Sequence, residues 1–196
     1  MKGIHLETCI HHIYMDPIMS PIRQPQRRIN PTLTDIVKEE LQKILTAGFI
    51  YPISDSKWAS PLVVFPKKVT RKWCICVDFR ELNKATLKYY FPLPFIDQVL
   101  DTLLGKQYFS FLDGYSGYNQ ILIAPKDQDK TTFTCPWGTY AYRVFPFGLC
   151  NALATFQRVV LGIFGDLIHK CVEVYMDDFT SYTFQQVLDN LEKVLI

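Results

Sequence analysis

The chain has 196 residues, of which 48% are hydrophobic and 20% charged, a composition typical of a folded globular protein rather than a disordered one. Its formal net charge is only +2, so overall charge does not identify a class of partner. No apolar run approaches the roughly 18 residues that a membrane-spanning helix needs, so we expect no membrane span. The N-terminus also lacks the apolar stretch of a secretory signal.

The six cysteines stand at positions 9, 74, 76, 135, 150 and 171. No two of them have the Cys-x-x-Cys spacing that is typical of zinc sites, so we expect no zinc centre. Without a secretory signal, a reducing intracellular compartment is the expected environment. Cys9, His11 and His12 are residue types that bind metals, but their spacing fits no standard site.

The periodicity of apolar residues predicts a mixture of helices and strands. In chain order, the predicted elements are an extended, irregular arm over residues 1–31, a helix over 32–47, strands over 62–66 and 73–79, a helix over 95–104, a strand over 108–112, strands over 131–134 and 140–145, a helix over 151–168, a hairpin around 172–179 and an amphipathic helix over 185–196. Thr32 with Asp35 fits a capping pattern for the first helix. This order predicts an α+β fold, with an antiparallel sheet packed by helices.

Two basic stretches are suited to phosphate binding. They consist of Arg23, Arg27 and Arg28, and of Lys67, Lys68, Arg71 and Lys72 at a predicted hairpin tip. Clustered cations attract the phosphate backbone of nucleic acids. A solvated surface loop accounts for either stretch equally well.

Three carboxylates follow apolar strands. Asp113 comes after Phe-Ser-Phe-Leu, and Asp177 and Asp178 come after Val-Tyr-Met at a predicted hairpin tip. If neighbouring strands bring them together, their mutual repulsion requires a cation, and hard carboxylate oxygens suit Mg²⁺ or Mn²⁺. A pair of such ions is the usual arrangement for nucleotidyl transfer. The alternative is that Asp113-Gly114 is only a turn and Asp177-Asp178 only a hairpin tip.

The motifs around these carboxylates occur in a fixed order along the chain. They are Val77-Asp78-Phe79-Arg80-Glu81-Leu82-Asn83, Phe91-Pro92-Leu93-Pro94, Phe109-Ser110-Phe111-Leu112-Asp113, Ser116-Gly117-Tyr118, Phe145-Pro146-Phe147-Gly148-Leu149, Ala154-Thr155-Phe156-Gln157 and Tyr175-Met176-Asp177-Asp178. Together they resemble the reverse transcriptase of gypsy-like long-terminal-repeat retrotransposons, and the motif sequences look closest to those of plant members. The resemblance extends from about Arg27 to the last residue.

This resemblance implies the fingers and part of the palm of a right-hand polymerase, in an α+β fold. An N-terminal arm over 1–31 would precede mainly fingers over 32–107 and mainly palm over 108–196. The implied activity is RNA- and DNA-templated synthesis of DNA on a primer from deoxynucleoside triphosphates. Asp113 and Asp177 would hold two Mg²⁺ ions, with Mn²⁺ as a substitute, and Asp178 would support them electrostatically.

The resemblance also implies a set of nucleotide contacts, which are Lys67, Gly114, Tyr115, Tyr118, Phe147 and Gly148. Lys67 falls where the family places a lysine on the γ-phosphate. Tyr118 falls at the family's steric gate, where a ring under the sugar excludes a 2′-hydroxyl. The alternative for Tyr118 is a core aromatic residue.

Three residues depart from the family pattern. Cys74 stands where the family has an arginine that grips the triphosphate, and loss of that contact is expected to cost on the order of 2–5 kcal/mol. Leu153 replaces a proline at a helix start, and Phe145 replaces a methionine. The chain is therefore either an active polymerase core or a decayed, catalytically inactive copy that retains the fold and weak nucleic-acid binding.

The sequence ends 18 residues after Asp178. Relative to the family, we expect the remaining palm strands, primer grip, thumb, RNase H and integrase regions to lie outside it. A non-catalytic nucleic-acid-binding fragment remains a further alternative, and a nucleotide cyclase would not explain the motifs before Asp113. By resemblance, the expected location is the cytoplasm or nucleus.

Overall fold

The computed structural model describes residues 9–66, 73–106, 109–113, 117–170, 172–176 and 178–181, with the backbone alone at 113. The helices are α1 (Thr34–Thr46), α2 (Arg80–Ala85), α3 (Ile96–Leu103) and α4 (Ala152–Phe164). The strands are β1 (Ile10–His11), β2 (Ile50–Pro52), β3 (Ser60–Pro66), β4 (Trp73–Val77), β5 (Ser110–Asp113), β6 (Leu122–Ile123), β7 (Phe133–Cys135), β8 (Gly138–Tyr142), β9 (Val172–Tyr175) and β10 (Asp178–Ser181). Short 3-10 helices cover Pro31–Leu33, Gly117–Gln120 and Pro125–Thr131.

The chain divides into two compact units, each made from two separate segments. The first unit combines Met1–Lys88 with Tyr118–Ala152, and the second combines Tyr89–Gly117 with Leu153–Ile196. The assignment of 32–107 to fingers and 108–196 to palm stays a prediction.

A mixed sheet forms the centre of the first unit, with the strand order β2-β8-β7-β3-β4. The β3 and β4 strands pair antiparallel, whereas β3 and β7 pair parallel. Phe133 on β7 is fully buried, and its ring packs 5.5 Å from Tyr142 on β8. The α1 helix buries Val37 and Leu41, which lie four residues apart and so share one helix face. This sheet therefore holds the core of the unit.

A buried carboxylate ties the start of the described chain to the first unit. Asp127 accepts hydrogen bonds from the Ile13 backbone at 3.2 Å and from Lys130 Nζ at 2.5 Å. Burial alone would raise the pKa of Asp127, but these bonds and the Lys130 charge outweigh it and hold the pKa below its ordinary value. Ile13 is buried as well, so this part of the predicted arm packs into the unit.

The second unit has an antiparallel sheet with the order β5-β10-β9. Val172, Val174 and Phe179 are buried on these strands. The α3 helix contacts β9, and α4 contributes Phe164, whose ring meets the Phe179 ring edge-on at 5.3 Å. A sheet packed by helices was the predicted arrangement, and it is confirmed here.

Most predicted elements are confirmed within a few residues of their bounds, with three corrections. The predicted Thr32 cap is wrong: Asn30 caps the 3-10 helix Pro31–Leu33 that leads into α1, its side chain accepting from the Thr32 backbone, and α1 itself starts without a side-chain cap. The predicted helix over 151–168 ends at Phe164. The α2 helix, the short strands β1, β2 and β6 and the 3-10 helices over Gly117–Gln120 and Pro125–Thr131 were not predicted. Residues 67–72 and 185–196 lie outside the described residues. No helix in the described part of the chain is long and apolar enough to cross a membrane.

Candidate active site

The β5 and β10 strands bring two of the predicted carboxylate positions together. In their antiparallel register Asp113 is the Cα partner of Asp178, followed by the pairs Leu112 with Phe179 and Phe111 with Thr180. Positions directly opposite each other in an antiparallel pair have Cβ atoms about 4.5–5.5 Å apart. Residues 65 positions apart in sequence are therefore neighbours at the end of one sheet.

The β9–β10 hairpin has a tight turn at the same end of this sheet. Tyr175 pairs with Asp178, and Met176 follows Tyr175 in the turn. Met176 has a φ of +57°, a left-handed conformation that is uncommon for a side chain of this kind. Two-residue hairpin loops favour positive φ because such turns match the twist of the strands. The Asp178 side chain is exposed beside this turn, whereas the next residue, Phe179, is buried.

Gly117 is the point where the chain that follows Asp113 meets α4. A Cβ atom added at Gly117 would lie 2.7 Å from Cε2 of Phe156. Phe156 is itself buried, so its ring has little room to move away. This close approach explains why glycine stands in the Ser116-Gly117-Tyr118 motif.

Tyr118, the predicted steric gate, belongs to an aromatic cluster in the first unit. Its side chain is 5% exposed and lies with its ring 6.2 Å from Phe145 and 5.0 Å from Phe147. Phe145 is fully buried and Phe147 is 62% exposed. The cluster thus leads from the core to the surface through Tyr118, and only Phe147 offers an open ring face.

The loop that carries Phe147 and Gly148 is held by one side chain. Asn83 on α2 donates from Nδ2 to the Gly148 carbonyl at 2.7 Å and accepts from the Cys150 backbone N–H at 2.9 Å. Gly148 has a φ of +98°, which only glycine adopts readily. Asn83 therefore clamps the loop at two points, the Gly148 carbonyl and the Cys150 N–H, in a segment that is not part of a strand.

A compact charge cluster lies at the end of β4. Asp78 accepts from Arg80 through Nε at 2.8 Å and Nη2 at 2.7 Å, and from Arg27 Nη2 at 2.6 Å. Hydrogen bonding from Arg80 lowers the pKa of Asp78 and keeps it ionised. The arginine side chains remain 76% and 46% exposed for Arg80 and Arg27, so both guanidinium groups have donors turned to solvent. The cluster carries one excess positive charge in a fixed position.

Comparison with known sequences identifies the family of the chain. Residues 65–195 match the family described as reverse transcriptase (RNA-dependent DNA polymerase), which covers well over half of the chain. The chain belongs to the reverse transcriptase family. The matched region contains β5, the β9–β10 hairpin and the Asn83-clamped loop.

The relatives of this reverse transcriptase chain include retrotransposon polyproteins. It is 38% identical over 164 residues to the retrovirus-related Pol polyprotein from transposon gypsy of Drosophila melanogaster, a match to 80% of this chain and 16% of that protein. It is 41% identical over 109 residues to an RNA-directed DNA polymerase homolog of the plant Oenothera berteroana, covering 56% of this chain and 77% of that protein. These matches confirm the gypsy-like resemblance. The chain spans only about a sixth of the length of the transposon polyproteins.

Solved structures support the same fold. The Prototype Foamy Virus Protease-Reverse Transcriptase aligns with a TM-score of 0.80 at 24% identity, covering 98% of this chain and 26% of that protein. The foamy viral protease-reverse transcriptase in complex with RNA/DNA hybrid aligns with a TM-score of 0.79 at 23% identity, covering 96% of this chain and 26% of that protein. The predicted α+β polymerase fold is thereby confirmed.

The structure describes some of the predicted site residues and not others. Lys67, Gly114, Tyr115 and Asp177 lie outside the described residues, and Asp113 is described by its backbone alone. Asp178 lies opposite position 113, and Tyr118, Phe147 and Gly148 belong to the aromatic cluster and the clamped loop of the first unit. Sequence reasoning missed the Asn83 clamp and the role of Asp78. Both residues belong to the quoted Val77–Asn83 motif, but the motif alone did not show what their side chains bind.

Reverse transcriptases generally use divalent metal ions, and the donors at the β5–β10 end suit such ions. Asp178 offers an exposed carboxylate, and hard oxygen donors are the ligands that Mg²⁺ and Mn²⁺ prefer. Among the side chains that the structure describes, no group of three or more His, Cys, Asp or Glu forms a metal-binding cluster. Asp177 and the Asp113 side chain lie outside the described residues, so of the three predicted carboxylates only Asp178 has a described side chain, and it suits a divalent cation as a single donor.

Proposed function

We propose that this chain is the catalytic core of an RNA-directed DNA polymerase from a gypsy-like retrotransposon polyprotein. The observation that carries the proposal is the register between Asp113 and Asp178 in a chain of the reverse transcriptase family. The proposed substrates are deoxynucleoside triphosphates and an RNA or DNA template with its primer. The reaction joins the primer 3′-hydroxyl to the α-phosphorus and releases pyrophosphate.

In this proposal Asp113 and Asp177 hold two Mg²⁺ ions, and Asp178 supports them through its negative charge. When bound, such ions favour the ionised primer hydroxyl and neutralise the triphosphate and the leaving pyrophosphate. The contribution of the protein is to hold acidic side chains at fixed positions on paired strands. The antiparallel register supports this role because positions 113 and 178 lie in paired strands, which hold side chains more precisely than loops do.

We assign the incoming nucleotide to the predicted contacts Lys67, Gly114, Tyr115, Tyr118, Phe147 and Gly148. The exposed ring of Phe147 offers a surface for stacking, and the Asn83 clamp fixes the backbone beside it. In this proposal Tyr118 selects deoxyribose by the bulk of its ring, which packs against the rings of Phe145 and Phe147. Lys67 provides a point charge for the γ-phosphate.

The arginines of the Asp78 cluster are proposed to bind nucleic-acid phosphates. Arg27 and Arg80 each donate hydrogen bonds to Asp78 and keep their remaining N–H donors exposed. Such contacts position a template without reading its sequence. Each phosphate contact that is neutralised contributes to the salt dependence of binding, so Arg80→Ala is expected to reduce the salt slope by about 1.

The test is primer extension by the chain expressed within its full reading frame, on an RNA template with a DNA primer. We expect Mg²⁺-dependent incorporation of deoxynucleotides, loss of incorporation on chelation, and much weaker incorporation of ribonucleotides. A nucleotide cyclase would instead convert a nucleoside triphosphate without primer or template. Absence of extension under these conditions, with the protein folded and bound to primer-template, would contradict the proposed function.

The alternative of a decayed copy has one specific observation in its favour. Cys74 stands where the family resemblance implies a triphosphate-gripping arginine, and its half-buried thiol offers no comparable donors. In a protein that extends poorly, Cys74→Arg is expected to restore incorporation by lowering the KM for the nucleotide. Cys76→Arg is the matched control two residues along the same strand and is expected to give no restoration.

A further inference from the structure

The side chain of His11 on β1 is buried against the aromatic cluster that contains Tyr118. His11 is 3% exposed, and its ring lies 4.3 Å from the Phe145 ring at an angle of 65°, an edge-to-face arrangement. Phe145 is fully buried, and its ring also packs against Tyr118 at 6.2 Å and 26°. One buried phenylalanine ring therefore contacts both a histidine of the N-terminal strand and the predicted sugar gate.

Backbone hydrogen bonds tie the segments that carry these three rings to one another. The His11 carbonyl accepts from the Ala124 N–H at 2.9 Å, beside the parallel pairing of β1 with β6. The Ile121 carbonyl accepts from the Phe145 N–H at 2.8 Å, and the Ile121 N–H donates to the Tyr118 carbonyl at 3.1 Å. Because the backbone is held at each ring, a ring can shift only into space that its neighbours leave.

The residue after His11 has a different environment. His12 Nδ1 lies 3.2 Å from Oδ2 of Asp127, the same oxygen that accepts from the Ile13 N–H. The His12 side chain is 36% exposed, whereas that of Asp127 is buried. The chain thus places two adjacent histidines at different groups, His11 at the aromatic cluster and His12 at the carboxylate, and they form a matched pair for substitution.

We propose that His11 is a positioning residue for sugar selection, which holds the Tyr118 ring in place through Phe145. This inference rests on the proposed function, in which the Tyr118 ring excludes a 2′-hydroxyl. A steric gate works only while its ring resists displacement, since repulsion between touching atoms falls steeply with small movements. In a close-packed interior that resistance comes from the side chains behind the ring, which here are Phe145 and His11.

The experiment is primer extension by the protein expressed within its full reading frame, with kcat/KM measured for a deoxynucleotide and for the matching ribonucleotide. The ribonucleotide value divided by the deoxynucleotide value is the sugar ratio, which does not depend on the folded fraction of a variant. Misplacing a group by about 1 Å can change a rate by about 100-fold, and a smaller shift of the Tyr118 ring in His11→Ala is expected to raise the sugar ratio by about tenfold.

Two control variants separate positioning from loss of stability. His12→Ala removes the neighbouring ring and its contact with Asp127, and Leu41→Ala opens a cavity under α1 in the same unit. Both should leave the sugar ratio at the wild-type value. His11→Leu fills the space of the imidazole without a flat ring, so it should fold even where His11→Ala does not, and it should raise the ratio by a smaller factor.

A double variant tests whether His11 acts through the gate. Without the Tyr118 ring there is nothing for His11 to position, so His11→Ala should add no further change in the sugar ratio to that of Tyr118→Val. Independent effects would instead multiply. Multiplied effects, or a rise in the ratio of equal size in His12→Ala, would overturn the proposal.

The outcomes also separate this inference from the proposed function. Absence of deoxynucleotide extension in the wild type contradicts the proposed function itself. Deoxynucleotide extension with a raised sugar ratio in Tyr118→Val, but a wild-type ratio in both His11→Ala and His11→Leu, would overturn the role of His11 alone. A raised ratio in His11→Ala, with none in His12→Ala or Leu41→Ala, is the result that we expect.

Discussion

Asp113 and Asp178 are directly opposite each other on the antiparallel strands β5 and β10. Asp113 is the last residue of β5, and Asp178 is the first residue of β10. Two acidic residues paired at the end of a sheet are suited to sharing a divalent cation, since carboxylate oxygens are the ligands that Mg²⁺ prefers. The pairing is thus the structural basis for assigning metal-dependent chemistry to this end of the sheet.

Gly117→Ala tests the close packing of the chain between the carboxylate strand and α4. The new Cβ would lie 2.7 Å from the buried Phe156 ring, so either the ring or the backbone must shift. Overpacking of this kind is expected to lower the free energy of unfolding by about 1–3 kcal/mol. Urea denaturation measures the change.

Gly162→Ala is the matched control, since nothing lies within 4 Å of a Cβ added there on α4. Alanine is the better helix former, and this change is expected to raise stability by about 0.5–1 kcal/mol. If Gly117→Ala were as stable as Gly162→Ala, the packing against Phe156 would not be the reason for the glycine.

Asn83→Ala tests the clamp on the Gly148 loop. The change removes the hydrogen bonds to the Gly148 carbonyl and the Cys150 N–H, at an expected cost of about 1–3 kcal/mol. If the loop contacts the nucleotide, the KM for deoxynucleotides should rise more than kcat falls. Lys84→Ala, on the exposed side of the same helix, should change neither quantity. An unchanged KM in Asn83→Ala would separate the clamp from nucleotide binding.

Asp127→Asn tests the carboxylate that holds the N-terminal segment. At pH 7 we expect a loss of about 1–3 kcal/mol, because the charged bond to Lys130 is removed. The folded pKa lies below the unfolded value of about 3.9, so the contribution is present above that pH and is lost as pH falls through the folded pKa. The difference from the wild type should therefore shrink below about pH 4.

Asp55→Asn is the control for that comparison, since Asp55 is exposed. Surface substitutions of this kind usually change stability by less than about 0.5 kcal/mol. A pH-independent difference between Asp127→Asn and the wild type would show that the amide fails for a steric reason rather than for lack of charge.

Substitutions at Tyr118 distinguish its proposed role as a sugar gate from a purely structural role of its ring. We expect Tyr118→Phe to keep the preference for deoxynucleotides, because the ring remains, and Tyr118→Val to incorporate ribonucleotides more readily. The Val variant will also be less stable, because the ring is 5% exposed and packs on Phe145. The ratio of kcat/KM for the two sugars is compared within each variant, so it is insensitive to the folded fraction. An unchanged ratio in Tyr118→Val would remove the gate assignment.

The sequence was sufficient for the elements whose apolar periodicity is clear. The helix α3 and the strands β3, β4, β9 and β10 were predicted close to their observed bounds because alternation or helical spacing is regular there. The α2 helix was missed because six residues carry too little periodicity, and its value lies in the contacts of Asn83 rather than in an amphipathic face. The Asn30 cap of the 3-10 helix before α1 was missed because Thr32, two residues later, fits the same capping pattern.

The candidate site was predictable as a set of residue types but not as a set of contacts. Ordered motifs pointed to Asp113, Asp177 and Asp178, while the register that makes two of these positions neighbours is a tertiary property. The Asn83 clamp depends on which way side chains face, and distances of that kind are not encoded in any local motif. The predicted roles of Lys67, Gly114 and Tyr115 stay predictions.

In the proposed function, the carboxylates at the end of the β5–β10 sheet catalyse metal-dependent DNA synthesis. The most direct measurement is the rate of Mg²⁺-dependent primer extension by the chain within its full reading frame, comparing Asp113→Asn with Asp166→Asn, a control at an exposed position of the same unit. We expect that Asp113→Asn abolishes extension while primer-template binding is retained, and that Asp166→Asn extends like the wild type. Extension by Asp113→Asn at the wild-type rate would contradict it.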